Sequence, residues 1–337
     1  MTNLERLQST GIRRIGTPER GFRYRSLNAE SVTKADLERI KSLAIPPAWK
    51  DVAINSSAGG RLQAVGQDAA GRWQYLYHES HNRSRDLKKF RRLTHFAQAL
   101  PSLRKTISRD LRESGLERER VLACVLRILS SCSMRPGSDV YARDNGSFGL
   151  ATLRSKHVSI KGDTVQFDFP GKSKVRQQRE LKDRRVAKVV KTLLKQPGPR
   201  VFQFQNGQGE FVDVTRQHIN AYIKEVMGEK FSAKDFRTWA GTLICASHLN
   251  LIGTSADEKL SARKKKIVTA IKETAEALGN TPAVCRGSYV CPEIISAFER
   301  GRCVPHCNLS LDKFRHYRGI KLHPAERALL RFLKQAA

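Results

Sequence analysis

Acidic residues are scarce in this chain. Its 337 residues include 32 Asp+Glu against 62 Lys+Arg, a formal net charge of +30. The carboxylates form no tight cluster of the kind a two-metal nuclease needs, so any attack on a phosphodiester has to rely on protein cations. Long apolar runs are also missing: no stretch reaches the ~18 residues of a membrane-crossing helix. Residues 1–16 are basic but lack the apolar core of a signal peptide, so no membrane association is expected and the chain reads as cytoplasmic. Cysteine is sparse and odd in number, seven in all, which argues for reduced thiols over a disulfide framework. Cys303-Val304-Pro305-His306-Cys307 offers at most three close ligands, with Cys291 the nearest further sulfur and no partner pair at finger-like spacing; no metal site is expected. A phosphate loop is missing too. Gly171-Lys172-Ser173 would need a glycine five residues earlier, and Gln166 stands there, so ATP is not expected as a cofactor.

What remains is enough for a folded, polyanion-binding protein. Hydrophobic content of 39%, with 14 Phe, 7 Tyr and 3 Trp, allows a sizeable core, and the length suits one large or two ordinary domains. Self-repulsion from thirty excess positive charges is best explained by a polyanionic partner, and nucleic acid leads.

Residues 1–90 have a strand-and-turn character. Short β-rich runs at 51–54, 61–65 and 72–77 are punctuated by Gly59-Gly60 and Ala70-Gly71. The densely basic run 83–92 marks the boundary, leads into a helix and is placed to track phosphate. Val121, Leu122, Val125, Ile128, Leu129 and Cys132 then recur at three- and four-residue spacing, which predicts one buried helix face ending just before Arg135. Strands are predicted at 148–153, 157–161 and 164–169, placing Lys172 at a hairpin tip. Helical patterns follow at 184–195, 215–227, 235–249, 261–278, 292–300 and 324–334. The predicted fold class is α+β: a small β-rich N-terminal domain (1–90) that contacts DNA and a larger, mainly helical catalytic domain (91–337) carrying a β-hairpin sheet.

Three cationic stretches precede a tyrosine: Met134-Arg135-Pro136-Gly137, Pro170-Gly171-Lys172-Ser173-Lys174 and Lys234-Asp235-Phe236-Arg237-Thr238-Trp239, then Tyr289. Arginine suits phosphate because its planar fork can bridge two oxygens and stays charged at working pH. Arg135 at a helix end and Arg237 near a helix start could hold one phosphate from two sides. Taken singly, each is equally a backbone clamp or a surface ion pair, Lys172 a solvated loop residue and Tyr289 a packing residue.

Residues 134–153 resemble the first-arginine block of the type IB DNA topoisomerases, in the poxvirus-like group found in bacteria. Gly171-Lys172, the Lys-x-x-Arg-Thr box ending at Thr238 and Gly279-Asn280-Thr281-Pro282 leading to Ser288-Tyr289 match the family's other blocks in order. So do Ile45-Pro46-Pro47-Ala48-Trp49 and 71–77. The resemblance implies that Tyr289 attacks the scissile phosphate and forms a 3′-phosphotyrosyl link. Arg135 and Arg237 would stabilise charge on the nonbridging oxygens, Lys172 would protonate the departing 5′ oxygen, and Asn280 would hydrogen-bond a nonbridging oxygen. Poxvirus enzymes carry His where Asn280 stands, and an amide can donate but cannot carry a proton. Gln74, Tyr75 and Tyr77 match DNA-contacting positions, and Tyr141 is kept beside Ser138 and Val140, where viral relatives have lysines; Lys174 is a second basic DNA contact at the hairpin tip. The resemblance implies a monomer clamping duplex DNA, in the cytoplasm among nucleoid DNA, without metal or ATP. A tyrosine recombinase shares the chemistry, but typically has His-x-x-Arg where Lys234-Asp235-Phe236-Arg237 stands. A non-catalytic DNA-binding relative is the other alternative.

Overall fold

A computed structural model of the chain describes residues 2–28, 31–69, 71–255 and 257–335, and the side chains of all these except 82–89, 173 and 313. The chain divides into two units, Met1–Lys89 and Phe90–Ala337.

The first unit is built on a five-stranded antiparallel sheet, with strands β1 (Ile12–Thr17), β2 (Gly21–Ser26), β3 (Lys50–Ile54), β4 (Leu62–Gln67) and β5 (Trp73–Tyr77) in the order β2-β1-β3-β4-β5. Alternation along β3 sends Val52 and Ile54 to one face and Ala53 to the other. Ile40 of helix α2 (Lys34–Ser42) packs on the first face, and Leu7 of helix α1 (Asn3–Thr10) on the second. Both helices begin at a threonine capping box, Thr2 with Glu5 and Thr33 with Asp36. The three strands expected from sequence are present. The others were hidden because β2 alternates arginines with half-buried residues and β1 carries adjacent arginines with only Ile12 buried, which reads as a basic surface segment.

Helix α3 (Glu79–Asp110) runs unbroken through the basic stretch 83–92, whose expected role along phosphate rests mainly on side chains outside the described residues. In the second unit α4 (Arg118–Cys132) buries the predicted face, but also Ala123, Cys124, Leu126 and Arg127. It is a central helix, not a one-sided one. Helix α8 (Ala233–Ile252) is buried on nearly every side as well. Around them stand α5 (Asp139–Asn145), α6 (Arg184–Leu193), α7 (Arg216–Met227), α9 (Leu260–Leu278), α10 (Pro282–Ser288) and α11 (Pro292–Glu299).

The hairpin sheet contains β6 (Val158–Lys161), β7 (Thr164–Pro170) and β8 (Arg176–Lys182), antiparallel in that order. Residues 148–153 are not its third strand. Leu150 and Ala151 donate their N–H groups to the carbonyls of Arg135 (3.0 Å) and Pro136 (2.8 Å), which pulls this segment into a 3-10 turn against the Arg135 loop. The third strand is β8, whose sequence RQQRELK shows little apolar signal because mainly Gln177 and Leu181 point inward. A second small hairpin pairs β9 (Gln203–Gln205) with β10 (Phe211–Asp213).

The C-terminal segment also supplies residues to the core. Helices α12 (Leu311–Arg315) and α13 (Pro324–Gln335) contribute Leu322, Ala325, Leu329 and Leu333, or their flanks, to the same apolar cluster as α4 and α8. Glu326 is fully buried, a costly place for a carboxylate unless its lone pairs are filled. They are filled: Arg104 donates twice (2.9 and 2.8 Å), Trp239 Nε1 once (3.1 Å) and the His323 N–H once (2.8 Å). Cys303 and Cys307 direct their thiols at backbone carbonyls, and no group of three metal-ligating side chains occurs among the described residues.

Candidate active site

Four of the five expected catalytic residues meet where α9 ends. The Gly279-Asn280-Thr281-Pro282 motif closes one helix and opens the next. Gly279 takes a left-handed conformation (φ +61°), and a Cβ there would fall 2.5 Å from Gln177 Oε1, so both backbone and space require glycine. The N–H groups of Gly279 and Asn280 return to the carbonyls of Glu276 (3.0 Å) and Ala275 (2.8 Å). Thr281 then caps α10 through Val284, and Pro282 occupies its first turn. Asn280 is thereby pinned between two helices.

A helix C-terminus leaves carbonyls unpaired and carries partial negative charge. Two arginines use them. Arg237, on α8 and only 3% exposed, donates Nη2 to Leu278 O at 3.0 Å and Nη1 to Ser133 O. Arg135 reaches Gly279 O (3.4 and 3.5 Å) and donates Nη2 to Asn280 Oδ1. Ser133 ends α4 in the left-handed region (φ 51°), a turn that sends Arg135 back toward α9. Two buried donors are left without a hydrogen-bond partner: Arg237 Nε and Asn280 Nδ2. Because Asn280 Oδ1 accepts from Arg135, its amide nitrogen is the free end.

Tyr289 follows the short helix α10, not the long α9. Its carbonyl accepts from Thr242 Oγ1 at 3.2 Å, and the same hydroxyl accepts from the Cys291 N–H at 3.1 Å. Gly241 lets α8 approach this closely: a Cβ there would lie 2.8 Å from Tyr289 O. The Arg237 guanidinium carbon stands 5.0 Å from the Tyr289 ring centroid. Burial pushes the phenol up, but the charge and hydrogen bonding of Arg237, with the charges of Arg135 and Lys234, outweigh it and hold Tyr289 below its ordinary value. Burial, then the neighbouring charge of Arg237, lowers Arg135 to about 10; burial also lowers Arg237.

Lys172 does not join this group. It lies exposed in the turn between β7 and β8, a 3-10 turn closed by Gly171 N–H to Val175 O (2.8 Å), and Lys174 beside it has φ 59°. Among the described residues nothing bonds Lys172 to the four. Two cations escaped the sequence reading. Lys234 was noted only as part of a motif, and Arg179 donates to Ala277 O (3.2 Å), a third arginine at the end of α9. Recognising β8 as a strand would have turned Arg179 inward.

Tyr141 is 47% exposed on α5, which Asp139 ties to Arg200 (2.8 Å). In the first unit Tyr75 and Tyr77 share a face of β5 with rings stacked at 6.4 Å, and they line a cavity of about 560 Å³ with Arg6 and Arg61. Gln74 is engaged locally, donating to Asp68 at 2.8 Å.

The family described as eukaryotic DNA topoisomerase I, catalytic core, matches residues 78–293, which hold Arg135, Lys172, Arg237, Asn280 and Tyr289. The family of the bacterial DNA topoisomerase IB N-terminal domain matches residues 21–68. The chain belongs to the type IB DNA topoisomerases. It is 35% identical over 285 residues to DNA topoisomerase 1B of Acanthamoeba polyphaga mimivirus, covering 83% of this chain and 85% of that protein. Identity to DNA topoisomerase 1B of vaccinia virus (strain Copenhagen) is 26% over 274 residues, 80% of this chain and 84% of the viral one. For DNA topoisomerase 1 of Drosophila melanogaster it is 25% over 260 residues, 73% of this chain and 26% of the fly protein. Membership of the type IB topoisomerases decides against a tyrosine recombinase. It also makes the chain an isomerase by family, with the α+β fold expected from its sequence. The C-terminal helices α12 and α13 lie beyond both matched segments.

Proposed function

We propose that this chain relaxes supercoiled duplex DNA by opening and resealing one strand. Tyr289 Oη attacks the scissile phosphorus, the bond to the 5′ oxygen breaks, and a 3′-phosphotyrosyl ester forms. Arg135 and Arg237 neutralise the charge growing on the nonbridging oxygens, and the free Asn280 Nδ2 donates to one of them. Lys172 gives the departing 5′ oxygen its proton, with the hairpin tip moving onto DNA to do so. The ester keeps the bond energy, so the 5′ hydroxyl can reverse the step after the strand has swivelled; neither ATP nor metal has a task in this sequence.

One observation carries the reading: two buried donors, Arg237 Nε and Asn280 Nδ2, lack partners beside a tyrosine whose ionisation is favoured. A phosphate would complete both. The net charge of +30 supports duplex DNA as partner, with Gln74, Tyr75, Tyr77, Tyr141 and Lys174 as contacts and Lys174 the reserve candidate for the proton. It also suits a monomer acting on nucleoid DNA in the cytoplasm. Relaxation of plasmid in EDTA without ATP tests the whole. Tyr289→Phe should abolish relaxation and the denaturant-trapped covalent complex while retaining DNA binding. Adduct on another residue overturns the assignment, and a wild-type chain that binds but never cleaves would be a non-catalytic relative.

A further inference from the structure

Strand β8 connects two different places. Arg176 begins it beside the Lys172 turn; Lys182 ends it about 20 Å away at a strand's rise per residue. At that far end α4, α6 and the segment after α12 surround a cavity of about 600 Å³.

Its lining is cationic. Lys182, Arg184, Arg185 and Lys188 stand around it, all exposed and all without an ion pair among the described residues. Arg127 and Arg318 complete six cations, against one carboxylate, Asp183. That carboxylate is already committed. Its Oδ2 accepts from Arg318 Nε at 2.7 Å and lies 3.9 Å from Arg127 Nε; its Oδ1 caps α6 through the N–H groups of Arg185 (3.1 Å) and Val186 (3.3 Å). One acid with full lone pairs cannot neutralise six cations.

Arg127 is the deciding residue. It is 7% exposed, donates Nη2 to Ser108 Oγ at 3.2 Å, and has a buried Nε with no hydrogen-bond partner. Burial lowers its pKa to about 10, so it stays charged at neutral pH. Asp183 Oδ2 at 3.9 Å is an ion-pair partner too distant to hydrogen-bond this Nε, so the buried guanidinium keeps a donor that a closer anion would complete. Arg184 and Lys188 lie one turn apart on the same side of α6 and can close on such an anion together.

We infer that this cavity is a binding site for a compact polyphosphate. The terminal phosphate of a chain is unencumbered and can enter to meet the Arg127 fork, while Lys182, Arg184 and Lys188 neutralise the phosphates behind it. A phosphodiester of duplex DNA is flanked by sugars, which keep its oxygens from a side chain this deeply set. His316 is the one aromatic ring among the lining residues, against six cations, so charge and not stacking dominates the cavity.

The test uses sodium tripolyphosphate and the full-length protein, free or saturated with a short duplex so that other basic surfaces are occupied. Calorimetry and thermal unfolding are compared with sulfate at matched ionic strength. Tripolyphosphate should bind the duplex-saturated protein stoichiometrically and raise its Tm, where sulfate does not. The double variant Arg184→Gln/Lys188→Gln, which removes only exposed charge, should lose at least about tenfold in tripolyphosphate affinity with duplex affinity unchanged. Arg127→Lys should bind more weakly than wild type even if its own Tm falls, because a point charge cannot replace the fork. Equal binding by wild type and the double variant would overturn the site. So would displacement of duplex by tripolyphosphate with duplex affinity falling in the variant, since these cations would then be DNA-backbone contacts.

Discussion

Arg135 and Asn280 are joined side chain to side chain, guanidinium to amide oxygen, and that bond leaves the buried amide nitrogen of Asn280 without a hydrogen-bond partner. In the proposed mechanism Asn280 is therefore a neutral donor with a fixed direction. Asn280→Asp keeps the shape but removes the donor and places a carboxylate against the incoming phosphate. It should slow single-turnover cleavage by more than Asn280→Ala, and Asn280→Ala in turn by less than loss of either arginine. Asn280→Asp as active as Asn280→Ala would mean that the amide never faces phosphate.

Loss of Arg135 should appear in the pH profile as well as in the rate. Its positive charge helps hold the Tyr289 phenol below the ordinary value, so removing it destabilises the phenolate and moves ionisation upward. In wild type, cleavage should rise with pH and level off below the pH expected of a free tyrosine. In Arg135→Ala the rise should shift to higher pH, with cleavage slowed on the order of 10²–10³. A slowed variant with an unshifted profile would confine Arg135 to phosphate.

Lys172, exposed at its hairpin tip, should matter only for the leaving group. Proton donation to an alkoxide contributes roughly 10²–10⁴. Lys172→Ala should therefore be slow on ordinary DNA and largely rescued when the bridging 5′ oxygen is replaced by sulfur, while Arg237→Ala is not rescued. Rescue of Lys174→Ala in place of Lys172→Ala would transfer the role by two residues.

Thr242 never touches a reacting atom, yet it fixes the main chain of Tyr289 and of Cys291 with one hydroxyl. Thr242→Val preserves shape and strands the buried Cys291 N–H, a loss of about 1–3 kcal/mol in stability by urea unfolding. Cleavage should fall with DNA affinity unchanged. Thr242→Ser, which restores the hydroxyl, should recover both; failure of Ser to do so would assign the effect to packing.

The sequence made the chemistry more legible than the scaffold. Arg135, Arg237, Asn280 and Tyr289 were marked by local motifs that match a known family block by block, and the structure brings the four together. Long helices such as α8 and α9 were readable from their apolar content. The third strand of the hairpin sheet was misplaced: the segment with apolar residues, 148–153, is held by Arg135 and Pro136 carbonyls, while the polar β8 pairs with β7. Periodicity cannot register a tertiary hydrogen bond. Nor could it foresee Glu326, whose helix carries an acid in the core because two distant residues, Arg104 and Trp239, and its own cap supply donors.

The contact between Gly241 and Tyr289 O has a mechanical consequence. DNA attached to Tyr289 would exert torque as the free strand swivels, and that load enters the protein at a single side chain. The short helix α10 is a poor anchor for it. Thr242 and the close approach at Gly241 instead ground Tyr289 on α8, the buried rod that also carries Arg237. Tyrosine and arginine are thus mounted on one beam. A tug on the link would then load both together, which would preserve the spacing that the proposed resealing step needs.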